Sequence, residues 1–246
     1  MLISVWSPKG GVGTSTIAVA LASTITACHR DVRLFDLGGD GPAIIGVRVP
    51  DQLGVADLLR AGPAAPATAL EALSVDIGER FRYVGPGRMG GADPAIAAAS
   101  QDDPSVAQFV NAVRSHAAMC VVDCRTVGTA CERSLVANSD LALVVVQPCF
   151  VLLQRTTQLQ ALISASSGVV YFEDQGRSLT GSDVGGILGR PMLAKIQRSH
   201  EVARTIDAGV LLRRRPAALF SPIERLAARL GLLDGEPRRD HNKRPA

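Results

Sequence analysis

The segment with the clearest chemistry is Ser7 to Thr16, SPKGGVGTST, where glycines at 10, 11 and 13 follow Lys9 and precede Thr14, Ser15 and Thr16. Glycines at this spacing let the backbone curl until successive N–H groups converge on one point. An apolar run, Leu2 to Trp6, comes directly before the loop, and a long apolar stretch, Ile17 to Ala27, comes after it. A strand, a glycine turn and a helix in that order make an anion cradle, to which the helix adds its positive N-terminal end. Such a cradle suits a di- or triphosphate. The competing readings are a tight turn with no ligand and a dinucleotide-binding loop, but the GxGxxG spacing of the latter is absent. Asp36 and Asp123 each close a further apolar run, Val32 to Phe35 and Met119 to Val122.

Those runs must position the loop. With Leu141 to Val146, Val169 to Phe172 and Met192 to Ile196, they are largely unalternating and apolar, with polar residues mainly at their carboxyl ends. That pattern predicts strands buried on both faces of a parallel sheet. Between them, Pro104 to Ala117 has Val106, Phe109, Val110 and Val113 at helical spacing, with Asp103 as N-cap. Phe150 to Ser164 also fits a helix, and Ser221-Pro222 opens a last one with N-cap and N1 chemistry. Ala61 to Ala72 and Gly85 to Ser100, rich in Ala, Gly and Pro, read as short helices and loops over the sheet edge. Strands alternating with helices predict an α/β fold with a doubly wound, mostly parallel sheet and helices on both faces.

Composition narrows the class. Of 246 residues, 47% are apolar and 20% charged, with a formal net charge of +3. This excludes a disordered acidic or polybasic protein and argues against an obligate nucleic-acid binder. Leu141 to Leu153, the longest apolar stretch, is broken by Gln147 and Pro148 and is too short to span a bilayer. Met1 to Trp6 lacks the marks of a signal peptide, so the expected location is cytoplasmic. Five cysteines form no disulfide framework, and Cys120, Cys124 and Cys131 read as small buried residues rather than zinc ligands. All but three of the 26 basic residues are arginine, which makes Lys9 stand out.

The loop KGGVG followed by hydroxyl residues resembles the deviant Walker A motif of the ParA/MinD superfamily of P-loop ATPases, and most of all its CpaE/TadZ branch, associated with pilus assembly and polar positioning. Val32 to Asp40 resembles the family's second strand and switch I, and CVVDC at 120 to 124 resembles Walker B and the start of switch II. Leu141 to Gln154 and Leu179 to Gly209 are similar to the family's later segments, so the resemblance runs from about residue 2 to 233. It implies one nucleotide-binding domain over residues 1–233; the tail over 234–246 reads as disordered and basic from its own composition. Many CpaE and TadZ proteins carry a receiver-like domain before the ATPase, and the expectation from this sequence is a member without it.

The resemblance implies ATP and Mg²⁺ as cofactors and a nucleotide-dependent homodimer. Lys9, Gly10, Gly11, Val12, Gly13, Thr14, Ser15 and Thr16 would contact the nucleotide, and Lys9 would reach across the dimer to the partner's phosphates. Ser15 and Asp123 would serve the metal, and Lys9, Asp36 and Asp40 are the candidate catalytic residues. The implied partner is an unknown protein of a positioning or pilus/secretion system, with membrane or DNA contact not favoured and a peripheral site at the inner face of the membrane or the cell pole allowed.

The sequence also departs from the family. Thr14 stands where a lysine is usual, removing a charge-assisted contact worth about 1.5–3 kcal/mol. Switch I normally reads Asp-x-Asp, but Asp36 is followed by Leu37 and Gly38, so the carboxylate that orients the attacking water is absent. Asp40 either replaces it or caps a turn. Val169-Val170-Tyr171-Phe172 replaces a run whose asparagine contacts adenine, so Tyr171 and Phe172 either stack on a base or simply pack. These changes leave three outcomes: a slow ATPase, a dimeric scaffold with little or no hydrolysis, or a DNA-associated partitioning factor using Arg213-Arg214-Arg215. For the last helix, packing on the domain is favoured over membrane binding.

Overall fold

The structure, a computed structural model, describes residues 1–50, 52–66, 68–100, 102–174 and 176–233. The tail over 234–246, expected to be disordered, lies outside the described residues. In chain order the elements are β1 (Leu2–Trp6), α1 (Thr14–Ala27), β2 (Val32–Asp36), α2 (Gly41–Ile45), α3 (Val55–Ala61), α4 (Ala69–Ala72), β3 (Val75–Gly78) and β4 (Phe81–Val84). Then come α5 (Pro94–Ala97), α6 (Pro104–Arg114), β5 (Met119–Asp123), α7 (Ala130–Ala137), β6 (Leu141–Val146), α8 (Phe150–Thr156) and α9 (Gln160–Ala165). The chain finishes with β7 (Gly168–Glu173), α10 (Gly181–Leu188), β8 (Met192–Gln197), α11 (His200–Asp207), α12 (Leu211–Arg214) and α13 (Ala217–Arg229).

Among the described residues the strands form one eight-stranded sheet ordered β3-β4-β2-β5-β1-β6-β7-β8, parallel except for the β3–β4 pair. Every residue of β1, β2 and β5 is buried, whereas the edge strands β3 and β8 carry exposed residues. The predominantly apolar runs are therefore the central strands, covered on both faces. Helix α1 rests on β1, β2 and β5 and packs with α13, while α7 packs on β1 and against α6 and α9. The chain goes from β1 to one side of the sheet and later crosses it from β5 to β6, so β1 lies at the switch in strand order. In such sheets the crevice at the carboxyl ends beside that strand is where ligands sit.

The expected doubly wound sheet is present, with local differences. The β3–β4 pair was not anticipated, because four-residue strands carrying Asp76 and Arg82 give too short a signal. The helix expected over Phe150 to Ser164 is divided into α8 and α9 by a 3-10 turn at Thr157–Leu159. Ser221-Pro222 does not open the last helix: α13 begins at Ala217, after Pro216. Leu219 and Phe220 donate their N–H groups to the Pro216 carbonyl, and Pro222 lies inside the helix. The buried Leu219, Phe220, Ile223, Leu226 and Ala227 hold this helix against α1 and β8 despite the N–H that Pro222 lacks. Its apolar face is covered by the domain. No helix of the described residues is long and apolar enough to cross a membrane.

One contact ties distant segments over the carboxyl ends of the strands. Gly46, at the end of α2, and Gly209, after α11, meet backbone to backbone, with φ of 83° and 61°. A Cβ on Gly46 would lie 1.7 Å from the Gly209 carbonyl oxygen. Gly46→Ala is therefore expected to lose about 2–5 kcal/mol in urea unfolding, from overpacking plus left-handed strain. Gly186→Ala, in exposed helical space with no neighbour within 4 Å, should instead gain about 0.5–1 kcal/mol.

Candidate functional site

Gly13 is the N-cap of α1, in left-handed conformation at φ 95°, ψ 20°, and no side chain caps the helix. Its carbonyl accepts the Ile17 N–H at 3.0 Å, so the helix starts cleanly. The first amides of a helix have no intrahelical partner, and here those of Thr14, Ser15 and Thr16 are left for whatever enters the crevice. A Cβ on Gly13 would lie 2.8 Å from the Phe172 ring, so this position must be glycine for packing as well as for dihedral angle. Phe172 thus packs on the loop, and Tyr171 is buried with its hydroxyl donating to the Leu179 carbonyl.

In front of the loop lies a cavity of about 780 Å³. Gly10, Gly11, Gly13, Thr14, Ser15 and Thr16 form its floor; Asp40, Ala43 and Ile44 come from the loop after β2 and from α2. Arg125 and Thr126 enter from the segment after β5, and Ile206 to Gly209 from the end of α11. A second cavity of about 590 Å³ lies beside it, bounded by Val12, Phe172, Asp174 and the start of α11.

Asp36 and Asp123 are register partners at the ends of β2 and β5, both 1% exposed. Their surroundings differ. Asp36 Oδ1 accepts the N–H groups of Gly38 and Gly39 at 2.9 and 2.8 Å, and its Oδ2 accepts Gly41 N–H at 2.6 Å and the Tyr83 hydroxyl at 3.0 Å. This carboxylate folds the turn over residues 37–41. Burial, and next the charge of Asp36, push the Tyr83 hydroxyl far above its ordinary pKa, so it remains a donor. Asp123 accepts the Arg125 N–H at Oδ1 and 3.0 Å, while its buried Oδ2 has no hydrogen-bond partner. Burial first, and Asp36 second, raise its pKa to about 7; the Ser15 hydroxyl and the Arg125 amide work against the shift.

The structure therefore brings six of the eight expected loop residues and Asp40 around one cavity, with Asp123 beneath Ser15. Asp40 is exposed and its side chain makes no capping bond to α2. Lys9 and Val12 do not line that cavity. Lys9 is half-buried, its N–H donating to Ser7 Oγ, and its charge reaches Cys149. The Cys149 thiol lies below its ordinary pKa mainly through the Leu152 N–H, with Lys9 adding to it. Of the arginine cluster, Arg215 is committed elsewhere: it donates to Ser23 Oγ and Glu224 and stacks over Phe220 at 4.0 Å. Cys120, Cys124 and Cys131 are buried, as expected.

Sequence reasoning missed Arg125, Tyr83 and the 206–209 segment. The resemblance included that last segment without giving it a role. Arg125 and Val127 have φ of 47° and 49°, a strained conformation that no residue pattern announces.

A glycine cradle at a helix N-terminus, at the switch point of a doubly wound sheet, defines a nucleotide-binding α/β domain of the P-loop kind. Residues 3–212 match the model of the CobQ/CobB/MinD/ParA nucleotide binding domain, and the chain belongs to that family. It is similar in structure to a ParA family ATPase from Chlorobium tepidum, with TM-score 0.74, 18% identity, and 93% and 98% of the two chains covered. The septum site-determining protein MinD from Pyrococcus horikoshii, in complex with Mg-ADP, gives 0.74 at 17% identity, covering 93% and 95%. MinD from Aquifex aeolicus, in its complex with MinC, gives 0.73 at 17% identity, covering 97% and 98%. No curated protein sequence matches the chain.

The residues present fit a magnesium-bound polyphosphate. The unpartnered Oδ2 of Asp123 lies in a buried site, the Ser15 hydroxyl faces the same carboxyl group, and the cradle amides are free. With no metal, that carboxyl favours its proton. A folded pKa of about 7 against an ordinary 3.8 means that folding takes up a proton, so the group's contribution is full below about pH 4 and lost as pH rises through 7. Asp123→Asn, which cannot ionise, should therefore be more stable than wild type above pH 7 in metal-free buffer, by up to about 4 kcal/mol. Thermal melts from pH 4 to 8 should show the gap closing toward the acid end; a gap independent of pH would contradict the assignment.

Proposed function

We propose that the chain is an atypical ATP-binding member of its family, closest to the CpaE/TadZ-like branch, with residues 1–233 acting as one nucleotide-binding unit. It binds ATP with Mg²⁺, pairs with a second copy across the nucleotide, and recruits a partner of a positioning, pilus or secretion assembly. The observation that carries this reading is the open row of α1 amides beside an unpartnered, buried Asp123 oxygen. The cradle of Gly10 to Thr16 would hold the phosphates. Ser15 and Asp123 would hold the metal, which when bound neutralises phosphate charge and draws the oxygens into line. Lys9, which does not line the cavity of its own loop, is suited to a phosphate of the partner subunit's nucleotide. The Mg-ADP of the Pyrococcus horikoshii relative and the MinC bound to the Aquifex aeolicus relative support the cofactor and the idea of a protein partner.

Turnover is slow in this reading. Asp36 is engaged in folding the 37–41 turn and has all its acceptor positions in use, and Leu37-Gly38 supplies no second carboxylate. Asp40, free of any capping bond and on the cavity wall, is the group left to orient a water. The same hydrogen bonds favour one second reading, a dimeric scaffold in which nucleotide is held but not hydrolysed.

ATP titration with and without Mg²⁺, followed by light scattering, tests the proposal. Wild type is expected to bind ATP only weakly and to double in mass with ATP and Mg²⁺. Lys9→Ala should keep the binding and lose the doubling; an unchanged mass response would remove the cross-subunit role. Thr14→Lys should tighten binding if the cradle is intact. Phosphate release separates the slow ATPase from the scaffold, and Asp40→Asn should abolish whatever turnover is measured.

A further inference from the structure

We infer that Arg125 supplies, from the segment after β5 and within the same chain, the cationic phosphate contact that the loop lacks at Thr14. The inference rests on the nucleotide reading above. Thr14 is 7% exposed and lines the cavity with a neutral side chain, and Lys9 does not line it at all. Among the described residues around that cavity, Arg125 is the one cation, facing Asp40 and Asp207. A polyphosphate entering an otherwise acidic or neutral crevice would meet its charge first.

The position of Arg125 is fixed from both sides. Its carbonyl accepts the Ser7 N–H at 2.7 Å, which anchors it to the root of the loop, and its N–H donates to Asp123 Oδ1 at 3.0 Å. Its φ of 47° is a left-handed conformation that arginine rarely adopts, held by these two bonds. The half-buried side chain runs over the turn that Asp36 folds. A Cβ on Gly38 would lie 2.7 Å from its Cδ and 2.9 Å from its Nε, and one on Gly91 would lie 2.7 Å from its Nη1. Two residues without side chains therefore leave a slot for it along the 37–41 turn. No carboxylate of the described residues forms an ion pair with this guanidinium, although Asp123 and Glu132 feel its charge. A partly buried guanidinium with its donors unused, next to a ring of free amides, is equipped for bidentate phosphate recognition. Because the same side chain lies against Gly38, its turning toward phosphate couples occupancy of the cavity to the turn before α2.

The test is a double-mutant cycle read by calorimetric titration of ATP with Mg²⁺, and of inorganic tripolyphosphate. Arg125→Asn suits the left-handed backbone, and Arg125→Gln keeps the chain length; both remove the charge. Either should weaken binding by about 10- to 150-fold, the factor for one charge-assisted bond, with urea unfolding confirming that the variant is folded. Adding Thr14→Lys to Arg125→Asn should restore most of the lost affinity, while Thr14→Lys alone should gain less. Wild-type binding left intact in both charge-removing variants would overturn the role of Arg125 alone. So would an equal gain from Thr14→Lys in both backgrounds. Failure of wild type to bind either ligand would overturn the nucleotide reading itself, and this inference with it.

Discussion

Two buried carboxylates in register at the ends of adjacent parallel strands are the constraint on which this architecture turns. Two like charges cannot both remain buried without compensation. The chain compensates Asp36 with four hydrogen bonds, from Gly38, Gly39, Gly41 and Tyr83. It leaves Asp123 with one amide and an unpartnered oxygen. The first carboxylate thereby becomes a structural centre for a loop, and the second keeps an affinity for positive charge. The raised pKa of Asp123 when no cation is near is consistent with that asymmetry.

The walls of the cavity depend on contacts far apart in sequence. The loop after β1 gives the floor, the segments after β2 and β5 give one side, and the end of α11 gives the other. Gly46 and Gly209 allow α2 and the turn after α11 to approach until their backbones touch. Phe172 packs on Gly13 from the neighbouring cavity and stiffens the curl of the loop. Strain at Arg125 and Val127 is concentrated next to the same crevice, where the hydrogen bonds to Ser7 and Asp123 hold it.

Departures in the loop have different weights once the geometry is known. Losing a lysine at Thr14 leaves the amides and the helix end in place, because these belong to the backbone. In the proposed reading, losing the second switch I carboxylate is more consequential, since Asp36 is already engaged and Asp40 would have to act from an exposed position on the wall. Binding and hydrolysis are separable in that reading.

Reading residues alone marked the central strands and the glycine cradle with its place before a helix, while Gly10 to Thr16, Asp40 and Asp123 became candidates through the family resemblance. Continuous burial on both faces leaves an unmistakable apolar run, and a glycine loop is a local device. The β3–β4 pair, the true start of α13 and the break between α8 and α9 were not legible, because short polar-alternating strands and a tolerated internal proline give weak local signals. Only the tertiary structure decided that Asp36 is saturated while Asp123 is not, that Arg125 leans over the turn, and that Lys9 does not line the cavity of its own loop. Those distinctions are made by hydrogen bonds and close approaches between segments distant in sequence, which no spacing along one strand of residues encodes.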